Sequence, residues 1–356
     1  MSHAAQRWRI VETTVVRKHK RDDGVKTVNN YTLLQTLGHG RFAKVKLCER
    51  SATGSQRQFA MKVVSKKALL KMKDYVSLPQ LPAPRSPCPP PPPPMSSLAQ
   101  QSNGMRVITA LDRVRDEIRI QRTLYHRNVV LLFEVIESED SDKIYMVLEH
   151  MPLGPCMAFR PEHKDFVSPL TQGVLTDALA RAHVRDILHG LEYLHGRGIC
   201  HRDLKPDNVL LNAAGRCHLC DFGCALSSPV DARGDVAQLS VTDTTGTYQF
   251  LAPECCSGEP YDPFKVDIWA VGVMLFVFLF GKLPFQSDGT KELFDEITRC
   301  ELVLPTEIRE IDETCRDLLW RLLAKAPGER ITLAQALSHP WLSQSEGDEE
   351  EEPPSF

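Results

Sequence analysis

The 356 residues are 42% hydrophobic and 25% charged, a balance that supports two sizeable cores and excludes a chain disordered throughout or a fibrous repeat. A formal net charge of −3 excludes a strong overall basic field, so neither nucleic acid nor an anionic membrane is the expected partner. Eleven cysteines scattered along a chain with no apolar stretch at its start read as free thiols of a reducing compartment, which makes the expected location cytoplasmic, with passage to the nucleus left open. The longest apolar run, Ile268 to Phe280, is short for a bilayer span and reads as a buried core helix. Ser2 stands where N-myristoylation needs glycine.

In chain order, residues 1–30 carry Arg17, Lys18, Lys20 and Arg21 without an amphipathic period and are expected to form a tail. From Tyr31 the segments YTLLQTL, AKVKLCE and QFAMKVV predict a small antiparallel sheet, with turns at Gly38 to Gly40 and Thr53 to Ser55. After Lys67 the pattern fades into an insertion over residues 74–106, whose run Pro89 to Pro94 favours extended polyproline conformation. Helical spacing resumes in ITALDRVRDEIRIQRTL, followed by the strands VVLLFEVIES and KIYMVLEH. Beyond His150 the chain is mainly helical. The expected fold class is therefore α+β and bilobal: a small lobe of one sheet and one helix over residues 31–148, and a larger helical lobe over 149–342. Residues 343–356 end in GDEEEEPPSF, expected as a disordered acidic tail.

Chemistry concentrates in four places. The turn LGHGRFAKV (Leu37, Gly38, His39, Gly40, Arg41, Phe42, Ala43, Lys44, Val45) lies between two strands, where glycines let backbone N–H groups approach a triphosphate. Two glycines in a hairpin are most often turn geometry alone. Lys62 on the next strand can pair with α and β phosphates if an acid holds it, and Glu117 is the expected partner. In HRDLKPDN, Asp203 can accept a hydroxyl proton, Lys205 can neutralise a transferring phosphoryl group, and Asn208 can hold magnesium. DFG at Asp221 to Gly223 supplies a second hard oxygen ligand, and APE follows at Ala252 to Glu254. Surface turns do not explain such groups in this order.

With those motifs the chain resembles the eukaryotic protein kinases from Tyr31 to about Leu342. It is most similar to the calcium/calmodulin-dependent protein kinase kinases, in YTLLQTLGHGRFAKVKL, AMKVVSKKAL, EIRIQRTLYHRNVV, GPCM and VDIWAVGVMLFVFLFGKLPF. The resemblance implies ATP and Mg as cofactors, serine or threonine as acceptor because Lys205 is present, and other kinases as protein substrates. It also implies Leu148 as gatekeeper, backbone groups of Glu149 and Met151 on the adenine edge, Ala60 and Leu210 around the ring, and a structural pair Glu254–Arg330. Arg202 would meet an anion on the activation loop, where Thr242, Asp243, Thr244, Thr245 and Thr247 are the candidates. Asp243 lies three residues before Gly246–Thr247 and offers a carboxylate where a phosphothreonine is usual.

Ala43 replaces the third glycine of the loop, and Gln121 stands where a leucine would pack toward Leu132 and Phe222. The acidic tail contains no basic amphipathic helix, so calmodulin binding there is not expected. The CHLC segment, Cys217 to Cys220, invites a zinc reading, but it falls on a strand and has no second ligand pair at zinc-finger spacing. Cys220 could alternatively border the nucleotide and react there. The rival functional reading is a catalytically weak kinase-fold scaffold, which predicts a lost nucleotide- or metal-handling residue.

Overall fold

Short β-favouring segments assemble one sheet around which the smaller lobe is built. The computed structural model describes residues 10–40, 43–52, 55–77, 105–231 and 233–343. Its first part runs β1 (Val11–Thr13), β2 (Lys18–Lys20), β3 (Lys26–Val28), β4 (Tyr31–His39), β5 (Ala43–Ala52), β6 (Ser55–Ser65), α1 (Lys66–Leu70), β7 (Lys73–Ser77), β8 (Met105–Thr109), α2 (Ala110–Gln121), β9 (Leu132–Glu137) and β10 (Lys143–Glu149). Eight of these strands form a single sheet in the order β1-β9-β10-β6-β5-β4-β3-β2.

Residues 10–30 are thus not the expected tail. β1 pairs in parallel with β9, Val11 opposite Glu134, and Thr13 Oγ1 donates to Glu134 Oε1 at 2.5 Å while Tyr31 Oη donates to Oε2 at 2.7 Å. β2 and β3 form a hairpin on the opposite edge, and Asn29 ties its base by accepting from Arg17 N–H at 2.7 Å and donating to the Val15 carbonyl at 2.9 Å. β-Branched residues in VETTVV and KTV favour these strands, but each is only three residues long, too short for its period to register in the sequence. Residues 1–9 lie outside the described residues. Only four residues separate β1 from β2, a link of no more than about 20 Å, whereas eight flat strands would set the edges about 34 Å apart. The sheet must curl, and Lys18 of β2 accordingly reaches Ser141, beside β10, at 3.4 Å.

The ends of the expected insertion are also paired. β7 and β8 form an antiparallel ladder from Lys73–Thr109 to Ser77–Met105, because DYV and RVI favour extended structure; the run Pro89 to Pro94 lies outside the described residues. α2 starts where Thr109 and Asp112 cap each other reciprocally, and its apolar stripe of Leu111, Val114 and Ile118 packs on the sheet.

The larger lobe continues with β11 (Gly154–Pro155), β12 (Ala158–Arg160), β13 (Asp165–Val167), α3 (Asp177–His195), β14 (Ile199–Cys200), β15 (Val209–Leu211), β16 (Cys217–Leu219) and β17 (Leu226–Ser227). It closes with α4 (Pro263–Phe280), α5 (Thr290–Arg299), α6 (Glu313–Leu322), α7 (Leu333–Leu337) and α8 (Pro340–Ser343). α4 is apolar on every face, opened by Pro263 behind the Asp262 cap and stopped by Gly281 at φ 67°. By length and composition it could cross a bilayer, yet 89% of it is buried, where it packs on α3 and α6 as the central core helix. The acidic run after Ser343 lies outside the described residues.

Candidate active site

A cleft of about 520 Å³ opens between the curled sheet and the helical lobe. Its walls include Leu37, Gly38, His39, Gly40, Ala43, Val45, Ala60, Lys62, Glu149, Met151 and Leu210, with Leu148 at the back. The glycine turn closes through Gly40 N–H donating to the Ala43 carbonyl at 2.8 Å, and no atom would meet a Cβ within 4 Å at Gly38. Arg41 and Phe42 lie outside the described residues. Lys44 is a correction: it is paired with Val63, one residue off from the Val45–Lys62 pair, and successive residues of a strand face opposite sides. It therefore points away from the cleft. The Glu149 amide already donates to the Leu131 carbonyl at 2.9 Å, so that amide is not the group that meets a base edge.

Lys62 reaches Glu117 Oε1 at 2.6 Å and Asp221 Oδ1 at 3.1 Å. Burial opposes its charge, but the two carboxylates more than offset that and hold the ammonium pKa above its ordinary value. The same ammonium keeps the Asp221 carboxyl below its ordinary value. Lys62 and Glu117, far apart in sequence, are thus brought together by α2 packing beneath the sheet.

The loop before β15 presents Asp203. Thr247 donates to Asp203 Oδ1 from both its amide, at 2.8 Å, and its hydroxyl, at 2.7 Å; Asn208 Nδ2 donates to Oδ2 at 2.9 Å and to the Asp203 carbonyl at 2.7 Å. Lys205 Nζ donates to Thr247 Oγ1 at 2.7 Å. A hydroxyl is thereby held between a carboxylate that can take its proton and an ammonium that can neutralise an incoming phosphoryl group. With its amide nitrogen committed to Asp203, Asn208 has its oxygen available for a cation, and Asp221 offers a second hard oxygen on the cleft wall, a donor set that fits magnesium beside a triphosphate. Both Arg202 (φ 68°) and Asp221 (φ 61°) adopt left-handed backbone, at a cost of about 1–3 kcal/mol each.

What fixes the Arg202 conformation is Asp267, a residue for which the motifs offer no role. Buried in the second turn of α4, it accepts from the His201 amide (2.9 Å), the Arg202 amide (2.8 Å) and His195 Nε2 (2.8 Å). The available signal was a carboxylate immediately before the apolar run Ile268 to Phe280. His201 in turn packs on Phe222, ring centroids 5.3 Å apart.

On the segment between DFG and APE, Arg202 Nη2 donates to Asp243 Oδ2 at 2.5 Å, and the Thr245 hydroxyl donates to the same oxygen at 2.5 Å. Burial would raise the Asp243 pKa, but Arg202 outweighs it and the carboxyl lies below its ordinary value. Arg202 Nε finds no acceptor among the described residues. Thr244 donates instead to the Cys255 carbonyl, at 3.1 Å, and Thr242 is half-buried. Gly246, at φ 118°, lies so close beneath Arg202 that a Cβ would come within 2.6 Å of its carbonyl. Arg330 and Glu254 form a bidentate pair at 2.6 and 2.8 Å.

Cys217 lies fully buried on β16, and Cys220 borders the cleft; burial pushes both thiols above their ordinary value, so neither is poised as a reactive thiolate. Among the described residues no three His, Cys, Asp or Glu side chains converge to hold zinc.

Gln121 is 2% exposed at the rear of the cleft, and its Oε1 has no hydrogen-bond partner among the described residues. An orphaned buried amide oxygen costs about 1–3 kcal/mol. The Lys62–Glu117 pair forms in spite of it. Gln121→Leu is expected to raise basal phosphotransfer and thermal stability together; initial rates on a generic substrate that stay level or fall would refute a restraining role.

The glycine turn, the braced lysine and the paired acidic motifs of the cleft are those of a phosphotransferase site. Residues 98–342 match the protein kinase domain model, and the chain belongs to that family. Among its relatives, serine/threonine-protein kinase TOS3 of Saccharomyces cerevisiae is 33% identical over 331 residues, covering 88% of this chain and 53% of TOS3. Serine/threonine-protein kinase GRIK1 of Arabidopsis thaliana is 31% identical over 338 residues, covering 95% of this chain and 73% of GRIK1. SNF1-activating kinase 1 of Saccharomyces cerevisiae is 32% identical over 353 residues, covering 89% of this chain and 28% of that protein. The chain thus spans about half the length of TOS3 and less of SNF1-activating kinase 1.

Proposed function

We propose that the chain transfers the γ-phosphoryl group of ATP to serine or threonine hydroxyls of protein substrates, and that those substrates are other kinases in a cytoplasmic signalling cascade. The observation that carries the reading is the Thr247 hydroxyl held between Asp203 and Lys205, since an acceptor hydroxyl needs the same two partners. Asp203 takes the proton as the hydroxyl oxygen forms its bond to phosphorus; the β–γ bridging bond breaks and ADP leaves. Lys62, braced by Glu117, orients the α and β phosphates, and Lys205 offsets charge on the transferring group. Magnesium, bound through Asn208 and Asp221, would supply charge neutralisation between the β and γ phosphates. The kinase-directed part is supported by likeness to SNF1-activating kinase 1 and to the calcium/calmodulin-dependent protein kinase kinases.

Asp243 is proposed to order the substrate-facing loop without phosphorylation. Asp243→Ala is expected to lower the activity of phosphatase-treated enzyme several-fold, because Arg202 would lose its carboxylate partner. Undiminished activity would exclude the carboxylate and point to phosphorylation at Thr242, Thr244 or Thr245.

The overall proposal is tested by incubating the enzyme and labelled ATP with inactive candidate kinases and mapping the product by mass spectrometry. A phosphothreonine in the activation loop is the expected result. Label on no protein substrate, with ATP bound, would overturn it in favour of a scaffold.

A further inference from the structure

The curl of the sheet creates a second cavity, on the face opposite the nucleotide. It measures about 690 Å³ and lies in the mouth of the curled strands, beneath the β2–β3 hairpin. Six lysines line it: Lys18 and Lys20 from β2, Lys26 from β3, Lys44 and Lys46 from β5, and Lys143 from β10. Among the described residues no carboxylate is part of the lining. Lys46 is spent on Thr36, and Lys143 lies 3.8 Å from the neighbouring Asp142. Lys20, Lys26 and Lys44 have no ion-pair partner among the described residues.

Concentrating like charges in one concavity is unfavourable unless an anion offsets it. The ammonium groups are distributed, however. β5 and β10 are separated by β6, so Lys44 and Lys143 originate about 10 Å apart, and the lysines rim the cavity from four different strands. The floor between them is apolar, formed by Val63, Tyr145, Leu33 and Val28. A fitting ligand needs several spaced negative charges and an apolar group between them.

We propose that this cavity is a docking site for an acidic peptide segment of a partner protein, with one apolar side chain on the Val63–Tyr145 floor and flanking carboxylates on the lysine rim. Such a site lies beside the catalytic cleft: Gly40 and Ala43 line both cavities, and Lys44 and Val63 alternate with the cleft residues Val45 and Lys62. A partner docked there would be held against the back of the glycine turn.

The test is fluorescence anisotropy of the whole chain with a labelled peptide in which Glu residues flank a central Phe on both sides. Binding is expected to weaken with added salt, to be lost when Gln replaces Glu, and to fall when Ala replaces Phe. The combined variant Lys18→Glu, Lys20→Glu, Lys26→Glu should weaken it by roughly tenfold or more while leaving phosphotransfer to a short generic peptide unchanged. Lys143→Glu, on a different strand, should weaken it as well and serves as the readout if the combined variant unfolds. Absence of binding to the wild-type chain, or binding indifferent to these charge reversals, would overturn the proposal. So would displacement of the peptide by equimolar tripolyphosphate, which would assign the cavity to a compact polyanion.

Discussion

Asp203→Asn is expected to lower kcat by about 10²–10⁴-fold with little change in the KM for ATP, because the substitution removes the base and keeps the shape. The amide can still accept from the Thr247 amide and hydroxyl that now bond Oδ1, but it cannot take a proton from an acceptor hydroxyl. Lys62 and the walls that hold adenine are untouched, so nucleotide binding should survive. Steady-state kinetics with labelled ATP, beside a nucleotide-binding assay, measure both arms. A variant as active as the wild type would remove Asp203 from the chemistry; one that binds no ATP would make it a structural residue.

Arg330→Ala is expected to cost about 3–5 kcal/mol of stability, because it strands a buried charge. The guanidinium is 1% exposed and fully engaged: with Glu254 through two bonds, with the Ala324 carbonyl at 3.1 Å and with the Lys265 carbonyl at 2.9 Å. Its loss leaves Glu254, 11% exposed, without its cation and the carbonyls of Ala324, Lys265 and Lys325 without their donor. The Tm should fall by several degrees, and activity with it, since Glu254 closes the APE motif at the end of the activation loop. Glu254→Gln, which keeps hydrogen-bond capacity without the charge, should cost less. An unchanged Tm for Arg330→Ala would remove the pair from the framework of the larger lobe.

These two sites were legible in the sequence for different reasons. Asp203, Lys205 and Asn208 lie within six residues, so one tight loop is enough to bring them together and the sequence spacing is already the geometry. Glu254 and Arg330 became a pair through family resemblance, since nothing local couples residues 76 apart. Asp267 was missed because its partners, His201 and Arg202, lie more than 60 residues away and are reached only when α4 is placed. Lys44 belongs to the glycine-turn motif as a continuous stretch of sequence, but strand alternation sends every second side chain to the far face. The N-terminal strands are hard to read because three residues carry almost no period; β1 gains its stability from β9, more than 100 residues further on, and β2 and β3 from short hairpins that continue into β4.

The short link between β1 and β2 also has a consequence for self-association. Exposed strand edges invite pairing with the edges of other molecules. An open eight-stranded sheet would present two such edges to solution, but here a four-residue strap draws them toward each other, and the lysines of β2 add charge at the seam. Cutting the chain between Thr13 and Lys18 would release both edges at once, so a form nicked there should aggregate more readily than the intact chain even while its catalytic groups remain in place.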